Sequence, residues 1–224
     1  MTSLEDIVAW ADENAGEDDE WERERELIPS EVRVCRENPV GVVVTTKPHC
    51  LWKMLPDLAP GFSVHASRWP IPNWHAELVA SDPASREKVI FVGDLDALDL
   101  LSFATLLHAA KLDPARAHFA GPIDAWLDAL SAEHKKMIAI EMSDFERELW
   151  DRVRGLSLDW DARLGLRAMA LLDAGHKIEL DGAMNPAIYG EAFTLWAGVR
   201  VLQHWARIPS PSKATRPSAP PPSR

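Results

Sequence analysis

The chain has 224 residues, with 46% hydrophobic and 26% charged side chains, a length and composition suited to one globular unit with flanking extensions. Its net charge of −11 gives no long-range attraction for nucleic acid, whose non-specific affinity rests on Lys and Arg neutralising phosphates. No apolar run approaches the roughly 18 residues of a membrane span, no basic-then-apolar leader opens the chain, and two cysteines are too few for a disulfide scaffold. A reducing cytoplasm is the expected compartment.

The charge is unevenly placed. Residues 1–38 hold 13 Asp/Glu against 4 Lys/Arg, residues 209–224 hold 3 basic and no acidic side chains, and 39–208 hold 22 acidic and 17 basic ones. Three regions follow: an acidic helical extension (1–38), a folded domain (39–208) and a tail (209–224). Within the extension, Ser3 and Asp6 form a capping signal, and Ile7, Val8 and Trp10 give a short apolar face. Glu17 to Glu26 is a solvated charge run, read as an exposed helix or a dock for a basic partner. The tail has 6 prolines in 16 residues and no large apolar side chain, so it is expected to be disordered.

Between these ends strands and helices alternate. Val40–Thr46 is a β-branched apolar run of strand length, followed by a helix-like segment around Cys50–Leu58. Gly61–Ala66 predicts a second strand, Asn73–Ala80 a short helix, and Lys88–Val92 a third strand bounded by Gly93. Leu98–Leu112 predicts a helix and Ala117–Ala120 a fourth strand. From Ile123 onward the pattern is mainly helical, ending in Phe193–Trp205. Uninterrupted apolar strands imply burial on both faces, and strands alternating with helices imply an α/β fold with a parallel sheet flanked by helices. No internal repeat is present.

The sharpest chemical feature is Gly93-Asp94-Leu95-Asp96-Ala97-Leu98-Asp99, directly after the third strand. In extended backbone Asp94 and Asp96 project to one side, at the strand end where open α/β sheets bind ligands. Two carboxylates in one small volume repel, and a divalent cation relieves that cost. Hard oxygen ligands select Mg²⁺ or Mn²⁺. The competing reading has Asp94 facing solvent in a loop and Asp96 or Asp99 capping the helix. Lys47 and Arg68 are candidate phosphate contacts, and equally ordinary surface charges. His65 and His75 near the second strand are read as core or surface histidines before substrate contacts. Cys35, His49 and Cys50 are too irregularly spaced for a zinc set. Trp126, Trp150, Trp160, Trp196 and Trp205 fall in helical segments, which favours core packing or a partner interface over base stacking. Lys177 and Glu179, two apart on a helix, do not face each other.

An apolar strand followed by Gly93-Asp94-Leu95-Asp96 resembles the DxD motif of Toprim domains, most closely those of the topoisomerase VI A subunit, its meiotic double-strand-break relatives and the nuclease subunit of the Wadjet plasmid-defence system. Val42–Lys47 looks like their first strand, Trp69-Pro70 occupies the place of their Gly-aromatic-Pro turn, and Leu171–Leu180 resembles their late "LL…G-x-K-x-E" helix segment. The resemblance spans roughly residues 40–200. It implies a Toprim-like α/β fold, a Mg²⁺ or Mn²⁺ held by Asp94 and Asp96 with Asp99 assisting, and DNA processing, with a nuclease-like role in bacterial defence. Two departures bear on activity. Thr46 stands where the family has a glutamate, implied to act as general acid/base or metal ligand, and Asp99 replaces a glycine. Topoisomerase-type cleavage also needs a tyrosine on a preceding winged-helix domain, whereas the single tyrosine, Tyr189, follows the motif. Hydrolytic nicking remains open if Glu37 or Asp99 supplies the missing acid. The alternative expectation is a catalytically degenerate Toprim, a protein-interaction subunit whose partner supplies DNA binding or a cleavage domain.

Overall fold

The computed structural model describes residues 3–15, 32–34, 37–47, 61–67, 71–128 and 132–180. Five strands form the main sheet: β1 (Val32–Val34), β2 (Gly41–Thr45), β3 (Phe62–Ala66), β4 (Val89–Val92) and β5 (Ala117–Ala120), in the order β1-β3-β2-β4-β5. The last four are mutually parallel, and β1 pairs antiparallel with β3 as an edge strand. The fold is therefore α/β, with a four-stranded parallel sheet flanked by helices. Val42, Val43 and Val44 of β2 and all four residues of β4 are buried. Successive strand residues point to opposite faces, so both faces of the sheet are covered.

The helices are α1 (Leu4–Asn14), α2 (Asn73–Ser81), α3 (Ala97–Ala109), α4 (Asp124–Leu127), α5 (Ala132–Ile138), α6 (Asp144–Arg154), α7 (Trp160–Leu164) and α8 (Leu166–Asp173). A 3₁₀ turn, Pro83–Arg86, leads into β4. Helix α3 is apolar nearly all round, as a helix sunk in a core must be. Its Phe103 packs against Phe91 of β4 and Phe119 of β5 at 5.8 Å each, and against Trp160 at 6.4 Å. Helix α1 begins in the Ser3–Asp6 capping box that the sequence signals and contributes Ile7 and Ala11 to the core. Its Trp10 stacks on Phe145 at 5.5 Å under the Arg152 guanidinium, seating α1 on α6.

The region after Ile123, expected to be mainly helical, also contains a second sheet. Ala139–Glu141 (β6) pairs antiparallel with His176–Ile178 (β7). The segment Leu171–Leu180, expected to be a helix, ends its helix at Asp173. Gly175 takes φ +77, a left-handed conformation that stops the helix at little steric cost, and the chain continues extended. The strand geometry also corrects the expectation for Lys177 and Glu179. Two apart on extended backbone they share a side, and Lys177 Nζ lies 2.7 Å from Glu179 Oε1 and 2.9 Å from Glu146 Oε1. Trp150 and Trp160 are buried core residues. Among the described residues, no helix is long and apolar enough to cross a membrane.

Several sequence expectations lie outside the described residues. These are the charge run Glu17–Glu26, the helix around Cys50–Leu58, Cys35, His49, Arg68, Trp69-Pro70, Tyr189, the helix Phe193–Trp205 and the tail 209–224.

Candidate metal centre

The order of the parallel strands fixes where a site can form. From β2 the chain moves outward to β3, then returns past β2 to form β4 and β5 on the other side. That reversal makes the carboxyl ends of β2 and β4 the switch point, the place at which open α/β sheets bind ligands. Thr45 lies opposite Val92, so Thr46-Lys47 and Gly93-Asp94 leave the sheet side by side. Thr45 Oγ1 donates to Val92 O at 2.7 Å and accepts from Lys47 N at 2.9 Å, pinning the two strand ends together.

Asp94, Asp96 and Asp99 converge here. Each offers a carboxylate oxygen within 4.8 Å of the others, and all three are buried. Asp96 caps α3, its Oδ1 accepting from Asp99 N at 2.7 Å, so the capping expectation holds for this residue and coexists with membership of the cluster. Asp94 is buried rather than solvent-facing. Its Oδ1 accepts from Leu180 N at 2.6 Å and its Oδ2 lies 2.7 Å from Lys47 Nζ. Asp99 accepts from Thr46 Oγ1 at 2.5 Å and from Asp94 N at 2.6 Å. Gly93 leaves room for this arrangement, since a Cβ there would lie 2.6 Å from the Phe91 ring and 2.7 Å from Asp99 Oδ2. Leu95 and Ile178 exchange backbone hydrogen bonds at 2.9 and 3.1 Å, holding the segment that ends in Leu180 against the acidic loop.

The electrostatics follow from the burial. Desolvation raises the Asp94 pKa to about 7, with the Lys47 ammonium opposing and the Asp99 charge adding to the rise. Asp96 is raised well above the carboxylate range by burial and by repulsion from Asp99 and Asp94. Burial works against a charged Lys47, but Asp94, Asp99 and Asp96 together outweigh it and raise its pKa. The buried cluster thus has the all-oxygen donor set that could bind a metal ion.

Other candidates are placed as follows. Glu37 is exposed and outside the cluster. His65 and His75 are core residues rather than groups open to substrate. His65 Nε2 lies 3.3 Å from Asp82 Oδ2, and burial together with the neighbouring His65 lowers His75 to about 4. An open groove of about 610 Å³ between α1, α2 and α3 is lined by Leu4, Val8, Ile71 and Thr105 and touches none of the three aspartates.

Sequence reasoning found the three aspartates but missed what braces them. Thr46 stands in the sequence as a lost acid, yet its hydroxyl holds Asp99. Lys47, a phosphate candidate, is the counter-ion of Asp94. The Leu180 amide has no side-chain signature and could not be found from residue type. Neither a protein-family model nor a curated protein matches the chain.

Proposed function

We propose that the protein is a Toprim-like, Mg²⁺- or Mn²⁺-dependent component of DNA processing, nuclease-like in chemistry and suited to bacterial plasmid or phage defence. The observation that carries this reading is the burial of three converging carboxylates at the switch point, with the Lys47 ammonium paired to Asp94. Oxygen-only donors favour Mg²⁺ or Mn²⁺ over softer metals. A divalent cation held by Asp94 and Asp96 supplies Lewis-acid polarisation of a phosphate and lowers the pKa of water. Asp99 assists by fixing the Asp94 backbone and by its charge. Lys47 and Arg68 are the proposed phosphate contacts, and a protein partner supplies further DNA binding or a cleavage domain.

A second reading, a non-catalytic interaction subunit, is favoured by Thr46. Its hydroxyl is neutral at pH 7, so it cannot do a glutamate's acid–base work, and it is spent on Asp99. The net charge of −11 points the same way. Mn²⁺ calorimetry on the native chain and on Asp94→Ala/Asp96→Ala, followed by plasmid nicking, tests the metal reading. Saturable binding lost in the double variant supports it, and absence of binding at millimolar metal overturns it. Thr46→Glu separates the two readings, because nicking that appears only in that variant identifies the natural chain as the interaction subunit.

A further inference from the structure

We propose that Lys47 is a tethered counter-ion which a divalent cation must displace, so that metal loading is coupled to expulsion of the Lys47 ammonium from the acidic cluster. The inference rests on the metal-site reading above and concerns how that site is controlled.

The two oxygens of Asp94 are already assigned. Oδ1 takes the Leu180 amide at 2.6 Å, and Oδ2 takes Lys47 Nζ at 2.7 Å. A Mg²⁺ or Mn²⁺ sits roughly 2.1 Å from a ligand oxygen. Placed on Oδ2, it would lie within about 5 Å of the ammonium, and two cations this close in a desolvated site repel strongly. Leu180 N cannot be traded away without opening the Leu95–Ile178 pairing beside it. Lys47 is the part able to move. The Asp94 side chain is 1% exposed, but that of Lys47 is 18% exposed, so a flexible four-carbon stem joins the cluster to solvent. Its backbone stays anchored by the Thr45 hydroxyl, which confines the exchange to the side chain.

The test is Mn²⁺ binding to the full chain, followed by calorimetry and by the loss of the free Mn²⁺ spin-resonance signal, for the native protein and Lys47→Met. The expected result is binding to Lys47→Met tighter by roughly tenfold or more, with a larger Mn²⁺-induced rise in Tm. Equal or weaker binding by Lys47→Met than by the native chain overturns the displacement proposal while leaving the metal site standing. Binding by neither protein overturns both. If Lys47→Met fails to fold without metal, Mn²⁺ added during refolding provides the second measurement. Rescue by Mn²⁺ supports displacement, and rescue only by adding Asp94→Asn overturns it.

Discussion

Thr46 Oγ1 lies 2.5 Å from Asp99 Oδ1, donating a hydrogen bond from the end of one parallel strand to an acid in the first turn of the helix that follows its neighbour. A hydroxyl in this place braces a carboxylate that would otherwise be buried with one fewer donor. Hydrogen bonds to charged groups contribute roughly 1.5–3 kcal/mol. Thr46→Val, which keeps the shape and removes the donor, should cost about that much in urea melts. Thr46→Ser should recover most of it. Equal stability for Val and Ser variants would show that the hydroxyl contributes nothing.

The buried aspartates set an unusual pH dependence. An unfolded aspartate ionises near 3.8, whereas Asp94 in the fold ionises near 7 and Asp96 is also raised. The folded chain therefore holds more protons in that interval. Stability from these groups is fully present below the unfolded value and is lost as pH rises through the folded one. With EDTA present, Asp94→Asn/Asp96→Asn should remove this loss. Thermal melts at about pH 5 and about pH 8 measure it, and an unchanged pH slope in the double variant would refute the assignment.

His75 works in the opposite direction. Its folded pKa of about 4 lies below the ordinary imidazole value of 6.5, so the unfolded chain binds the extra proton. The stability it contributes is present above the unfolded value and disappears as pH falls toward 4. Nuclear magnetic resonance titration of the ring should find His75 neutral at pH 6. His75→Phe should make the acid side of the stability curve shallower, and a ring titrating near 6.5 would contradict the buried placement.

Gly165 holds a different kind of constraint. Its φ is +92, and a Cβ would lie 2.5 Å from Asp124 Cβ. Asp124 Oδ1 accepts the Arg167 and Ala168 amides at 2.9 and 2.8 Å, closing the first turn of α8. Gly165→Ala should destabilise by about 1–3 kcal/mol from backbone strain alone. Asp124→Ala should cost about 1 kcal/mol as a lost cap. Chemical denaturation of both variants checks the order of the two effects.

What was legible in the sequence follows from how local each determinant is. Val42–Val44 and Val89–Val92 announce buried parallel strands because burial on both faces removes the polar alternation, and both formed within a residue of expectation. Asp94, Asp96 and Asp99 are close in sequence, so their convergence could be read from spacing. The three-residue strands β1, β6 and β7 are too short for any periodicity, and the motif resemblance around Leu171 suggested a helix that Gly175 ends. Pairings such as Thr46 with Asp99, Lys47 with Asp94 and Lys177 with Glu146 depend on register between distant segments, which residue type does not encode.

The Asp94–Leu180 hydrogen bond joins positions 86 apart in sequence, Thr46–Asp99 positions 53 apart, and Asp96–Asp99 positions 3 apart. Loop-closure entropy rises with separation, and long-range contacts form late. The helix cap should therefore appear with α3, the Thr46 bridge with β2–β4 pairing, and the Leu180 contact last. The longest of the three closures is thus also the one that seals a buried carboxylate from above.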